Sequence, residues 1–287
     1  MIDLRDSDAL RHLAAIVADL RAAAVVDFLL VGAAARDLLL LHRHGIAPPR
    51  RTTDVDLAFC VPDWSRFAQL KAALVGSGRF TSGRITQRLH HRIGTPLDLI
   101  PFGGVASATG QIAWPPDGNP VMSVLGYDAA LGSAETVLLP GDQRLAVIAL
   151  PMLAVLKLFA WEDRNQDQPR KDAVDLMFVL TSAPLTAGLE RLLDAAPGLL
   201  DLDDFDVDLA GAWLLGSHAR EAIDRYGAHR PAMIARATTI IARQTDPDGP
   251  LRLIGELQAA NPERARRTLA AFLNGLRRRV SLADPRR

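Results

Sequence analysis

The sequence has almost no cysteine, since Cys60 is the one cysteine among 287 residues. An internal disulfide is therefore excluded and a reducing compartment is expected, with Cys60 as a small buried thiol. The sequence also lacks any apolar run approaching about 18 residues and any uncharged stretch near its N-terminus. We therefore expect no membrane span and no signal peptide, and a cytoplasmic location.

The net charge is zero, because 33 basic residues balance 33 acidic ones. A protein that coats nucleic acid non-specifically carries a clear basic excess, so bulk electrostatic binding is disfavoured. Hydrophobic residues make up 49% of the chain and charged residues 23%, a composition that excludes intrinsic disorder and allows a large core. The length allows one large domain or two ordinary ones.

The hydrophobic pattern changes character near residues 145–150. Before that point helical spacing alternates with short β-branched runs such as "VVDFLLVG" and "DVDLAFCV", and the Pro/Gly-rich stretch 114–127 predicts a loop. After Pro151 the pattern is nearly all helical. This segregation predicts an α+β fold, in which a mixed β-sheet with flanking helices is followed by an all-helical C-terminal domain. We place the two domains at residues 1–148 and 149–287.

One predicted strand carries Asp54 and Asp56, although strands disfavour aspartate. Residues two apart on a strand point to the same side, so the two carboxylates repel each other unless a cation lies between them. Asp98 in "PLDLIPF" is a third strand carboxylate, which converges with the other two if the strands are neighbours. Mg²⁺ takes such oxygen ligands. The alternative is that Asp54 caps a turn and Asp56 faces solvent.

A glycine turn precedes these aspartates. The stretch "LLVGAAARDLL" predicts a strand, a turn at Gly32 and Ala33, and a helix start whose free N–H groups suit phosphate. Arg36 follows, where it either faces a triphosphate or pairs with Asp37 or another acid. Further along, the charges of "RITQRLHHRIG", including Arg88, cover a solvated face or steer an RNA backbone.

The C-terminal half carries charges at helical spacing. Lys157 and Arg164 fall on one stripe of a helix that starts near Pro151, and Asp172 and Asp175 share a face of the next helix. A cationic stripe beside an acidic metal site suits a triphosphate. A structural ion pair between the two helices is the alternative.

The order of these motifs resembles the nucleotidyltransferase superfamily whose type member is DNA polymerase β. Gly32-Ala33, Asp54-x-Asp56 and Asp98 stand where that family has a strand-ending glycine motif, paired acids and a third acid. Ala33 departs from the usual Ser or Gly. The stretches "RRTTDVDL", "LKLFAWEDR" and "PRKDAVDL" are similar to motifs of the bacterial AbiEii-like and MenT-like nucleotidyltransferases, the toxins of type IV toxin–antitoxin systems. The likeness covers roughly residues 25–180.

The resemblance implies an enzyme that moves a nucleoside monophosphate from a nucleoside triphosphate (NTP) to an acceptor hydroxyl. Two Mg²⁺ ions with the bound NTP would be held by Asp54, Asp56 and Asp98, and Lys157 would act with these acids in catalysis by neutralising the phosphates. The expected nucleotide-binding residues are Gly32, Ala33, Arg36, Arg164, Asp172 and Asp175. The expected acceptor is an RNA or tRNA 3′ end, and a toxin of this kind would have a cognate antitoxin as partner.

Two alternatives stay open. The acceptor is a small hydroxylated molecule or a protein side chain, which the zero net charge favours. Otherwise the chain is a non-catalytic regulatory or RNA-binding module on the same fold, which Ala33 favours because it lacks a hydroxyl for phosphate.

Overall fold

A computed structural model of the protein describes residues 1–25, 27–164, 169–187, 194, 197–199, 201–202, 205–246, 248–258 and 260–279. The chain divides into two units, Met1–Ala149 and Leu150–Arg287. The first unit mixes strands and helices, and the described part of the second is helical. The predicted α+β class, with a mixed sheet followed by helices, is confirmed. Within the described ranges, no helix combines the length and apolar character needed to cross a membrane.

The first unit is built on a mixed sheet. Its strands in the described residues are β1 (Ile2–Asp3), β2 (Leu29–Val31), β3 (Val55–Val61), β4 (Phe80–Ser82), β5 (Arg88–His91), β6 (Pro96–Gly103), β7 (Gln111–Ala113), β8 (Val121–Ser123), β9 (Glu135–Leu139) and β10 (Gln143–Val147). Eight strands form the sheet, in the order β1-β9-β10-β2-β3-β6-β5-β4. The central strands β3 and β6 are parallel, whereas β2 is antiparallel to β3 and β5 is antiparallel to β6. The two aspartate-bearing segments are therefore direct neighbours.

The predicted loop at 114–127 is partly wrong, because β8 lies inside it. β8 pairs antiparallel with β7 in a separate two-stranded sheet, with Ile112 opposite Met122. The Pro/Gly-rich composition favours a loop, which is why this short hairpin was not predicted. The prolines precede β8 rather than lying within it, so they do not prevent its pairing.

Alternation along β3 separates the core from the carboxylates. Val55, Leu57 and Phe59 are buried, whereas Asp56 is half-buried. Cys60 has the parity of Asp56 and is exposed, so the expectation of a buried thiol is wrong. The helices of this unit are α1 (Arg11–Ala22), α2 (Gly32–Asp37), which continues as a π-helical turn over Leu38–His42, α3 (Trp64–Gly76) and α4 (Tyr127–Gly132).

The second unit contains, in its described part, α5 (Leu150–Arg164), α6 (Pro169–Ala187), α7 (Val207–Tyr226), α8 (Arg230–Thr245), α9 (Arg252–Leu257) and α10 (Pro262–Leu276). Side-chain caps start two of them: Asp206 accepts from the N–H of Asp208 at 2.9 Å, and Asn261 accepts from that of Arg264 at 2.9 Å. Helices α7 and α10 approach closely, because a Cβ on Gly275 would lie 1.9 Å from the carbonyl oxygen of Trp213. Glycine therefore permits the contact on which this unit's core is built.

Candidate active site

Three aspartates come together on the sheet of the first unit, and we call them the sheet cluster (Asp54, Asp56 and Asp98). Asp56 on β3 is the register partner of Asp98 on the parallel neighbour β6. Asp54 directly precedes β3 and lies two residues from Asp56, on the same side. One carboxylate oxygen from each residue lies within 4.8 Å of the other two. All three side chains are half-buried, so the cluster keeps contact with solvent.

The predicted glycine turn lies against this cluster. Val31 at the end of β2 is the register partner of Asp56, and Gly32 follows with φ +68°. A Cβ on Gly32 would lie 2.0 Å from Oδ2 of Asp56. Glycine alone fits both the left-handed backbone and the close approach of the carboxylate. Ala33 follows as a buried residue in the first turn of α2.

The sequence patterns did not place Arg88 in the site, yet it binds the cluster directly. Arg88 on β5 is the register partner of Asp98, and its Nε and Nη2 donate to Oδ1 and Oδ2 of Asp98, each at 2.7 Å. Its Nη2 also lies 4.0 Å from Oδ2 of Asp54. The hydrogen bonds to Asp98 raise the pKa of Arg88, and the charges of Asp54 and Asp56 add to the effect. The only signal for this contact would have been the register of the β5–β6 hairpin.

Thr52 is a second residue that the sequence patterns left without a role. Its Oγ1 donates a hydrogen bond of 2.6 Å to Oδ1 of Asp54. A hydroxyl that donates to a carboxylate restricts the orientation of that carboxylate. Thr52 therefore helps to hold Asp54 in the sheet cluster.

Arg36, which was expected to bind the nucleotide, is buried in the first unit. Its side chain is fully buried, its Nε donates to Oδ1 of Asp37 at 2.7 Å, and its Nη2 donates to the carbonyl oxygen of Arg50 at 3.0 Å. This is the alternative stated above, an ion pair with Asp37. The pairing with Asp37 agrees with the structural alternative, and a nucleotide-binding role for Arg36 stays a prediction.

Four charged residues of the second unit form what we call the helix cluster (Lys157, Arg164, Asp172 and Asp175). Nζ of Lys157 lies 2.9 Å from Oδ1 of Asp172 and 2.8 Å from Oδ2 of Asp175, and Nη2 of Arg164 lies 3.0 Å from Oδ2 of Asp172. The side chain of Lys157 is 7% exposed and that of Asp175 is 0% exposed. The contacts join α5 to α6, as the ion-pair alternative anticipated. A nucleotide-binding role for these residues stays a prediction.

The two clusters differ as candidate cation sites. The sheet cluster offers three carboxylates whose oxygens lie close together and keeps contact with solvent. Such hard, anionic oxygen donors fit Mg²⁺. In the helix cluster, two basic side chains already pair with the two acids. The sheet cluster is therefore the better candidate for a metal.

Comparisons with known proteins leave the family undetermined. No protein-family model matches the sequence, and no curated protein shows significant similarity to it. Among solved structures, the antibiotic-resistance factor ANT(2″)-Ia is similar over 64% of this chain and 95% of that chain, with 18% identity and a TM-score of 0.36. Because this TM-score is too low to carry a functional conclusion, the function rests on the residues of this chain.

Proposed function

We propose that the protein is a Mg²⁺-dependent nucleotidyltransferase. The observation that supports this most strongly is the convergence of the three carboxylates of the sheet cluster within 4.8 Å. Folding alone disfavours such a group, because like charges this close repel one another. A bound divalent cation removes the repulsion and gives the arrangement a function. The order of glycine turn, paired acids and third acid resembles the nucleotidyltransferase superfamily, in agreement with this proposal.

In the proposed reaction, the oxygen of an acceptor hydroxyl bonds to the α-phosphorus of the NTP. The bond between that phosphorus and the oxygen bridging to the β-phosphate breaks, and pyrophosphate leaves with the electron pair. Bound Mg²⁺ would supply Lewis-acid activation of the hydroxyl and charge stabilisation of the leaving group. Asp54 and Asp56 would hold both ions, and Asp98 would share one of them and accept the hydroxyl proton.

Roles are also proposed for the glycine turn and for the two basic residues of the helix cluster. The backbone N–H groups of Gly32 and Ala33 are proposed to contact the β- and γ-phosphates, since Ala33 has no hydroxyl to do so. Arg164 is the exposed member of the helix cluster, with 55% of its side chain accessible. It is therefore the cation of that cluster most available to an anionic ligand, whereas Lys157 is proposed to act by holding α5 and α6 together.

The proposed acceptor is the 3′ end of an RNA, such as a tRNA. The similarity of "RRTTDVDL" and "PRKDAVDL" to AbiEii-like and MenT-like toxins supports this acceptor, and with it a toxin role opposed by an antitoxin. A small hydroxylated molecule is the second candidate, supported by the equal numbers of basic and acidic residues. The three acids of the sheet cluster count against a non-catalytic module.

Transfer can be tested by incubating the protein with Mg²⁺ and each α-³²P-labelled NTP, with and without total RNA. We expect pyrophosphate release and a labelled RNA band, both lost in Asp56→Asn. Label in a small molecule or in protein would identify the other acceptors. Absence of pyrophosphate release with every nucleotide, RNA and cell-extract mixture would refute the proposal.

A further inference from the structure

Arg88 is placed on the sheet cluster by strand register. Asp56 on β3 is paired with Asp98 on β6, and Asp98 is paired with Arg88 on β5. Directly paired residues on adjacent strands point to the same face, and in the antiparallel pair β5–β6 their Cβ atoms are expected about 4.5–5.5 Å apart. The row across these three strands therefore reads acid, acid, base. A slip of one residue in β5 would turn Arg88 to the other face.

The side chain of Arg88 packs against Gly83 and is partly exposed to solvent. A Cβ on Gly83 would lie 2.8 Å from Cγ of Arg88, so the absence of a side chain at Gly83 makes room for that stem. The side chain of Arg88 as a whole is 33% exposed, against 18% for Asp98. Rotation about the outer bonds of Arg88 can therefore move the guanidinium into water without opening the core.

The guanidinium takes up both oxygens of Asp98. Nε and Nη2 donate to Oδ1 and Oδ2 in a bidentate pair, with both distances 2.7 Å. A divalent cation bound to the same carboxylate would stand next to a fixed positive charge. Like charges at such separations repel strongly, even near a protein surface. Arg88 and a metal ion therefore compete for Asp98.

We propose that Arg88 is a resident counter-cation of the sheet cluster, which a divalent cation must displace from Asp98 on binding. This inference rests on the proposed function, because it assumes that the cluster binds a metal. In the metal-free protein, Arg88 offsets part of the repulsion among the three acids and keeps the cluster assembled. It also weakens metal binding by the free energy needed to break the bidentate pair.

The test is a titration of the NTP-free protein with Mn²⁺, in which electron paramagnetic resonance reports the free ion. Arg88→Gln is expected to bind Mn²⁺ about tenfold more tightly than the wild type, because a charge-assisted pair contributes on this scale. Arg88→Lys is expected to lie between them, because it keeps the charge but not the bidentate geometry. The matched control is Arg84→Gln, which removes the same charge from an exposed position between β4 and β5 and is expected to bind as the wild type does.

A second readout covers the case in which Arg88→Gln folds poorly. Thermal unfolding with and without Mg²⁺ is expected to show a larger metal-induced rise in Tm for Arg88→Gln and Arg88→Lys than for the wild type. Binding that depends on Asp56 but is unchanged or weaker in both Arg88 variants would overturn the competition and leave the proposed function standing. Absence of Asp56-dependent Mn²⁺ binding in the wild type and in both Arg88 variants would overturn both.

Discussion

The sheet cluster and the helix cluster contain the same kinds of side chain in opposite environments. In the sheet cluster three carboxylates are half-buried, Arg88 pairs with one of them, and solvent reaches the group. In the helix cluster the two aspartates are buried and pair with a lysine and an arginine. Exposure to solvent therefore separates the two clusters more clearly than residue type does.

The difference bears on what each cluster can do. Burying ionised groups costs desolvation free energy, which is offset only when each charge has close partners of opposite sign. The helix cluster meets that condition internally, so its contacts connect two helices. The sheet cluster instead brings three carboxylates together where solvent reaches them, which is an arrangement that can bind a cation. The predictions below test this distinction.

The largest expected effect is on transfer activity in Asp56→Asn. Removing a central residue of the proposed metal site should lower the rate of nucleotidyl transfer by at least about a thousandfold, since metal activation contributes several kcal/mol to the transition state. The stability of the fold should be kept or increased, because the variant relieves like-charge repulsion. Pyrophosphate release and urea unfolding measure the two effects. If Asp56→Asn instead lost stability in proportion to activity, the sheet cluster would stabilise the fold as the helix cluster does, and the distinction between the two clusters would fail.

Lys157→Met tests the helix cluster with a side chain of similar length. The variant leaves two buried carboxylates without their shared ammonium, so the free energy of unfolding should fall by about 3 kcal/mol or more. Urea unfolding gives the value. Lys171→Met on the same helix pair is the control, because Lys171 is only half-buried, and it should change stability by less than about 1 kcal/mol.

A double variant tests whether buried negative charge causes the loss of stability in Lys157→Met. Lys157→Met combined with Asp175→Asn should recover part of the lost stability, since the second change removes one of the two buried negative charges that Lys157 contacts. Wild-type stability in Lys157→Met together with lost transfer activity would instead assign Lys157 to catalysis, as the sequence resemblance implied.

Gly32→Ala is expected to destabilise the protein by about 2 kcal/mol, part from the left-handed backbone and part from collision with Asp56. Gly45→Ala is the matched control: Gly45 has φ +71° and open space where a Cβ would stand. It should show only the backbone term, about 1 kcal/mol. Thermal unfolding and Mn²⁺ binding should separate them, because only Gly32→Ala displaces a carboxylate of the sheet cluster. Equal effects of the two variants on metal binding would contradict this account.

Strand periodicity was enough to predict that Asp54 and Asp56 share a side of β3, because side chains alternate along any strand. Convergence with Asp98 was predicted only on the condition that the two strands are neighbours. That condition depends on strand order, which arises from long-range pairing, and the structure supplies it. To predict the pairing of Arg88 with Asp98, the register of β5 on β6 is needed as well as the strand order. No local pattern in the sequence indicates this register.

In the second unit, too, local sequence patterns did not predict which residues come into contact. Spacing predicted that Asp172 and Asp175 share a face and left open whether Lys157 meets them or a ligand. Periodicity identifies the residues on one face of a helix, but packing decides what that face contacts. Arg36 is a related case, since its position after the glycine turn was compatible with a triphosphate and with Asp37. Its complete burial and its pairing with Asp37 could not be read from that position in the sequence.

The smallest expected effect concerns Thr52, whose hydroxyl donates to Asp54. Thr52→Val keeps the shape but removes the donor, so transfer should slow by about tenfold, in line with one hydrogen bond to a charged group. Thr52→Ser keeps a hydroxyl and should restore most of the rate. The effect should appear as weaker Mn²⁺ binding with little change in unfolding free energy, since the site is exposed enough for water to replace the lost donor. If Thr52→Ser and Thr52→Val slowed transfer equally, the methyl group rather than the hydrogen bond would be what Thr52 contributes to the sheet cluster.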